Sequence, residues 1–103
     1  MLKRILKVPD QSFFLLGPRG SGKSTWLRSM FPGAYVVDLL SEETYHRLLS
    51  NPGQFGNELR PISPGRWVIV DEVQRLPHLL NEVHRFMEER RLNFVLCGSS
   101  SRK

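Results

Sequence analysis

Short apolar runs separated by turns that carry Gly, Pro and Ser set the layout of this chain. Residues 12–16 form an apolar run that predicts a buried strand, and residues 22–30 predict a helix closed by Pro32 and Gly33. Residues 34–38 predict a second strand. Ser41 then stands as a helix N-cap, with Glu42 and Glu43 in a first turn where acidic side chains suit the helix dipole. Tyr45, Leu48 and Leu49 would be the apolar face of that helix, and Asn51, Pro52 and Gly53 its stop. Residues 55–65 hold Pro61, Pro64 and two glycines, so they predict mostly loop, with a short helix over 55–60. Trp67, Val68, Ile69 and Val70 predict a strand buried on both faces. Residues 77–91 predict one amphipathic helix with Leu79, Leu80, Val83, Phe86 and Met87 at helical spacing, a stripe read as core. Residues 92–97 predict another buried strand. Ahead of all this, residues 1–11 are a lead-in with a short strand over 2–6 and a turn at Pro9 and Asp10.

Strand and helix alternate throughout, which predicts an α/β fold: a parallel sheet of about four strands with helices on both faces and right-handed crossovers. One hundred and three residues allow one domain. A chain of that size buries roughly 65% of its unfolded surface, enough for a core.

The turn after the first strand carries the chemistry. Gly17, Pro18, Arg19, Gly20, Ser21, Gly22, Lys23 and Ser24 fill every fixed position of the phosphate-binding pattern G-x-x-x-x-G-K-[ST], with Thr25 opening the helix proper. The pattern is short, but a strand before it and a helix after it are the context it requires. Glycines let backbone amides close on a phosphate, and the amides form an anion nest. The helix that follows offers unpaired N–H groups and a partial positive charge to the same anion. Lys23 would reach the β- and γ-phosphates, and Ser24 would offer its hydroxyl to Mg²⁺. Arg19 is read either as a further phosphate contact or as a solvated loop tip.

Asp71 and Glu72 follow the third apolar run, at the strand end where open α/β sheets hold ligands. Alone they would be two polar residues closing a strand. Beside a phosphate loop they form the Walker B pattern, with Asp71 on Mg²⁺ and Glu72 polarising the attacking water as a general base. A polar side chain at the end of the last strand could sense the γ-phosphate; Ser99 is the first candidate and Ser100 the second, against the plain reading of a serine-rich loop.

These residues carry a family resemblance. The stretch 13–27 around the phosphate loop, the run Val68, Ile69, Val70, Asp71, Glu72, Val73, Gln74, Arg75, Leu76 and Pro77, the segment 80–84, and the stretch 94–100 resemble the AAA+ superfamily ATPases that have an N-terminal ATPase module and an uncharacterised C-terminal domain. The run from Asp71 to Arg75 is more specific than the loop. The resemblance implies a P-loop NTPase fold of three layers, α/β/α, with strand order 2-3-4-1. It also implies Lys23 and Ser24 as Walker A, Asp71 and Glu72 as Walker B, Ser99 or Ser100 as sensor 1, and ATP with Mg²⁺ as cofactors. Members of the family continue past the position of Lys103 with a fifth strand, an arginine finger, lid helices and the C-terminal domain. Residues 1–103 therefore resemble the N-terminal part of such an ATPase domain. Turnover is expected to be weak without the finger, which supplies roughly 10³- to 10⁵-fold in related systems. The first strand would then be a bare sheet edge, an invitation to self-association through residues 12–16.

Composition narrows the partners. The chain is 40% hydrophobic and 24% charged, ordinary for a globular protein. Its single Cys97 cannot form an internal disulfide, consistent with a reducing, cytoplasmic setting. No run approaches the eighteen or so apolar residues of a membrane span. A net charge of +5 raises a nucleic-acid partner, but the basic residues are dispersed, with no run beyond two and no interleaved aromatics, so that support is weak. His46, His78 and His84 are spread over two predicted helices and do not converge as a metal site needs. Trp26 and Trp67 are read as packing residues. Two other functions compete with an ATPase: a nucleotide-binding module that does not hydrolyse, and a small-molecule kinase of the phosphate-loop type. Against the kinase, an Asp-Glu pair suits water activation and no acceptor-binding segment is visible. No [NT]-K-x-D guanine-reading motif occurs, which disfavours a GTPase.

Overall fold

The computed structural model describes residues 12–17 and 23–99. In chain order they form β1 (Phe13–Gly17), α1 (Lys23–Met30), β2 (Tyr35–Asp38), α2 (Glu42–Ser50), α3 (Gln54–Leu59), β3 (Trp67–Asp71), a 3₁₀ turn (Val73–Arg75), α4 (Leu79–Glu89) and β4 (Asn93–Ser99). The expected strand at residues 2–6 and the turn at Pro9 and Asp10 lie outside the described residues.

All four strands are parallel, in the order β1-β4-β3-β2. This is the expected order read from the opposite edge. Side chains alternate across the sheet, so β3 feeds two cores at once. Val68 and Val70 join Val37, Phe94, Leu48, Phe55, Leu59, Leu79, Val83 and Phe86 on the face covered by α2, α3 and α4. Ile69 joins Leu15, Leu27, Phe31, Val95 and Cys97 on the face covered by α1. Trp67 packs against this second core, 4.5 Å from the Phe31 ring centroid and 6.1 Å from that of Phe13, and Trp26 packs there too. Both tryptophans are therefore packing residues, as expected.

Several boundaries shift from expectation. β3 and β4 run on to Asp71 and Ser99 because a partner strand is present at those levels: Asp38 pairs with Asp71, and Gly17 with Ser99. The helix expected over 77–91 is α4, two residues shorter at each end, and a 3₁₀ turn (Val73–Arg75) that was not expected precedes Pro77. Leu49 does not share the apolar face of α2: Leu48 is fully buried, whereas Leu49 is 45% exposed. Consecutive helical residues are separated by about 100°, and the stripe centres on Leu48. Ser41 caps α2 as expected, its hydroxyl accepting from the Thr44 amide at 3.4 Å. The loops feeding β2 and β3 turn on Gly33 and Gly65, both with positive φ (87° and 85°), where a side chain would be strained.

Candidate nucleotide site

The C-terminal ends of the strands gather the residues singled out by sequence. β1 ends at Gly17, which leads toward the phosphate loop, and α1 opens at Lys23 with Ser24 second. Thr25 is exposed on the same first turn. Pro18, Arg19, Gly20, Ser21 and Gly22, and likewise Ser100, lie outside the described residues. Ser99 closes β4, the strand between β1 and β3, and its backbone is the register partner of Gly17. Val70 pairs with Leu96, so Asp71 stands one residue past that pair, and β1 and β4 extend two residues beyond its level. At about 3.3 Å per residue that step is roughly 6–7 Å. The carboxylate-bearing end of β3 is thus level with the end of β2 and lies below the ends of β4 and β1 on its other side.

Asp71 is half-buried, and Asp38 faces it across the β2–β3 register. Glu72 is only 1% exposed. Its backbone adopts a left-handed conformation, φ 60° and ψ 46°. For a residue with a Cβ this costs roughly 1–2 kcal/mol, the kind of local strain that clusters at functional positions. The 3₁₀ turn that follows closes through Arg75 N–H to the Glu72 carbonyl at 3.0 Å and Leu76 N–H to the Val73 carbonyl at 3.1 Å. Val73 and Leu76, each 2% exposed, pin the turn into the core. Gln74 donates from Nε2 to Glu72 Oε1 at 2.6 Å. Arg75 donates from Nη1 to the Leu39 carbonyl at 2.8 Å, and its guanidinium lies 4.1 Å over the Tyr45 ring. The Leu39 amide in turn donates to the Asp71 carbonyl at 3.1 Å.

The roles of Gln74 and Arg75 were not foreseen residue by residue; the only sequence signal was their place in the specific run that begins at Asp71. Sequence reasoning also missed a cluster at the outer edge of the sheet. There the Glu58 carboxylate accepts from Arg47 Nε at 2.8 Å, Gln54 Nε2 at 3.0 Å and the Tyr35 hydroxyl at 3.1 Å. Burial pushes the Glu58 carboxyl up, but these three donors, Arg47 first, outweigh it and hold the group below its ordinary value. Burial, reinforced by the Glu58 carboxylate, raises the Tyr35 phenol.

Two cavities frame the sheet. A small one of about 60 Å³ lies beside α1, lined by Leu27, Arg28, Val36, Asp38, Ile69 and Asp71. A larger one of about 330 Å³, lined among others by Tyr35, Ile62, Arg66 and Trp67, opens at the N-terminal ends of β2 and β3, away from the carboxylates. Of the two, the smaller cavity is the one that Asp38 and Asp71 line. Among the described residues no three His, Cys, Asp or Glu side chains converge as a metal cage.

The sequence profile of the AAA domain family matches residues 9–103. The chain belongs to that family. AAA domains are nucleotide-binding P-loop modules, and the four-stranded parallel α/β fold fits that class. No curated protein and no solved structure matches the chain. Among the described residues no helix is long and apolar enough to cross a membrane.

Proposed function

We propose that this AAA domain binds Mg·ATP at the loop spanning Gly17 to Ser24 and hydrolyses it with Glu72 as general base. The observation that carries the reading is Glu72 itself, a carboxylate 1% exposed, held in a left-handed turn at the end of β3, with β4 between that strand and β1. A buried, backbone-strained acid at the strand ends of the same parallel sheet that a phosphate-loop sequence follows is costly for folding alone and useful for chemistry.

Each residue has a role in that reading. Lys23 binds the β- and γ-phosphates as a point charge, and the loop amides with Pro18, Arg19, Gly20, Ser21, Gly22 and Thr25 cradle the phosphate chain. Ser24 and Asp71 would hold Mg²⁺. Both present hard oxygen donors, and the ion needs few protein ligands, which suits a strand end without a cage of side chains. When bound, the ion neutralises phosphate charge. Glu72 takes a proton from the attacking water at a carboxylate oxygen. Ser99, at the end of the strand between Gly17 and Glu72, orients the terminal phosphate. The reading assigns residues 1–103 to the N-terminal part of the ATPase domain, with a cytoplasmic setting.

Calorimetric titration with Mg·ATP, wild type against Lys23→Ala, with phosphate release followed in the same samples, tests it. Binding that disappears in the variant supports the site. Equal binding in both removes it. Binding without turnover, with Glu72→Gln no different from wild type, would favour a non-hydrolysing module.

A further inference from the structure

The run that begins at Asp71 contains two side chains that the proposed chemistry leaves unused. Arg75 fastens the turn to the end of β2. Gln74 does something different. It is exposed, two residues beyond Glu72, yet its amide turns back to a carboxylate that is 1% exposed and donates to it at 2.6 Å. Ordering a long exposed glutamine costs rotamer freedom, so the contact must offset that cost, and hydrogen bonds to charged groups are the stronger class. The turn does not need Gln74 for its own integrity. Its backbone is closed by the Arg75 and Leu76 amides, and Val73 and Leu76 anchor it in the core.

We propose that Gln74 is a positioning residue for Glu72: its amide holds Oε1 and so fixes the rotation of the carboxylate about its side-chain bonds. The part of this that concerns water activation rests on the function proposed above. The contact itself does not.

A double-mutant cycle on the intact chain separates the two. Gln74→Glu sets a second carboxylate against the first, and Gln74→Glu combined with Glu72→Gln remakes the bond with donor and acceptor exchanged. Melting temperatures should fall by several degrees in Gln74→Glu, about 4–8 °C for a domain of this size. The exchanged pair should recover most of that fall. Additive shifts, with no recovery, overturn the proposal. The isosteric Gln74→Met supplies the kinetic arm: turnover should drop about tenfold or more while Mg·ATP affinity stays within about twofold, the split expected of an aim rather than a binding contact. Wild-type turnover in Gln74→Met overturns the positioning role. Should wild type itself show no turnover, the hydrolytic reading fails, and the melting cycle alone decides whether Gln74 holds Glu72.

Discussion

Arg75 reaches 36 residues back along the chain to donate from Nη1 to the Leu39 carbonyl at 2.8 Å. The same guanidinium stacks over Tyr45 and stands 3.5 Å from a Glu42 carboxylate oxygen. Since the Leu39 amide donates to the Asp71 carbonyl, the end of β2 and the carboxylate turn are fastened in both directions. Arg75→Ala should therefore cost about 1–3 kcal/mol, combining a lost charged hydrogen bond with a lost cation–π contact. Urea unfolding measures it. Arg75→Lys should fall between, because an ammonium keeps the charge but loses the planar stack. An alanine variant within about 0.5 kcal/mol of wild type, the range of neutral surface changes, would show that the brace is ornamental.

The Glu58 cluster makes a pH prediction. Its carboxyl is held below the ordinary value of 4.5 in the folded chain, so folding is favoured by its ionised form. The contribution is present above the unfolded pKa and is lost as pH falls through the lower folded pKa. Arg47 is 40% exposed, so screening keeps the effect modest, about 1 kcal/mol or less. Stability measured from pH 6 down to about pH 3 should fall less steeply in Glu58→Gln than in wild type. Parallel slopes in the two proteins would remove Glu58 as the titrating group.

Gly56 offers a gain. It is buried within α3, and a Cβ there would meet the Phe86 ring at 3.6 Å, an ordinary contact. Gly56→Ala should raise stability by about 0.5–1 kcal/mol through the helix propensity of alanine and the entropy of the unfolded chain. Gly65→Ala should do the reverse despite open space around it, because its φ of +85° strains any side chain. A loss of stability in Gly56→Ala would mean that Phe86 does not tolerate the added methyl.

Much of this architecture was legible in the sequence, and the limits have physical causes. Alternating apolar runs carry the α/β class, since period and turn residues are local. The strand order came from the family resemblance. Strand ends were less legible: β4 extends to Ser99 because β1 is there to pair with it, and nothing local to Gly98 and Ser99 shows that. Glu72 could be placed at a strand end, but not its left-handed backbone, at the start of a turn whose Val73 and Leu76 are buried in the core. The bonds of Arg75 to Leu39 and of Arg47 to Glu58 join residues far apart in sequence, on surfaces where many polar pairings would look equally reasonable.

Glu72→Gln separates catalysis from binding. The amide keeps the shape of the side chain in its buried turn but cannot accept a proton from water. Turnover should fall by about 10²-fold or more, the range for loss of a general base, while Mg·ATP affinity is retained. Phosphate release and calorimetry on the same preparation read the two quantities. Undiminished turnover would remove Glu72 from the chemistry.

The last prediction concerns the edge of the sheet. Among the described residues β1 pairs only with β4, and no described strand lies along its outer side. Phe14 adds an apolar surface, 51% exposed, on the same strand. An unpaired apolar edge is a template for another chain, and natural edges blunt it with charge. The chain should therefore self-associate as its concentration rises, and sedimentation across a concentration series should show it. Phe14→Lys places a charge on that strand and should shift the distribution toward monomer without lowering Mg·ATP affinity, because Phe14 precedes the phosphate loop by two residues of strand. A wild-type chain that stays monomeric at the highest concentration reached would show that the edge is already satisfied.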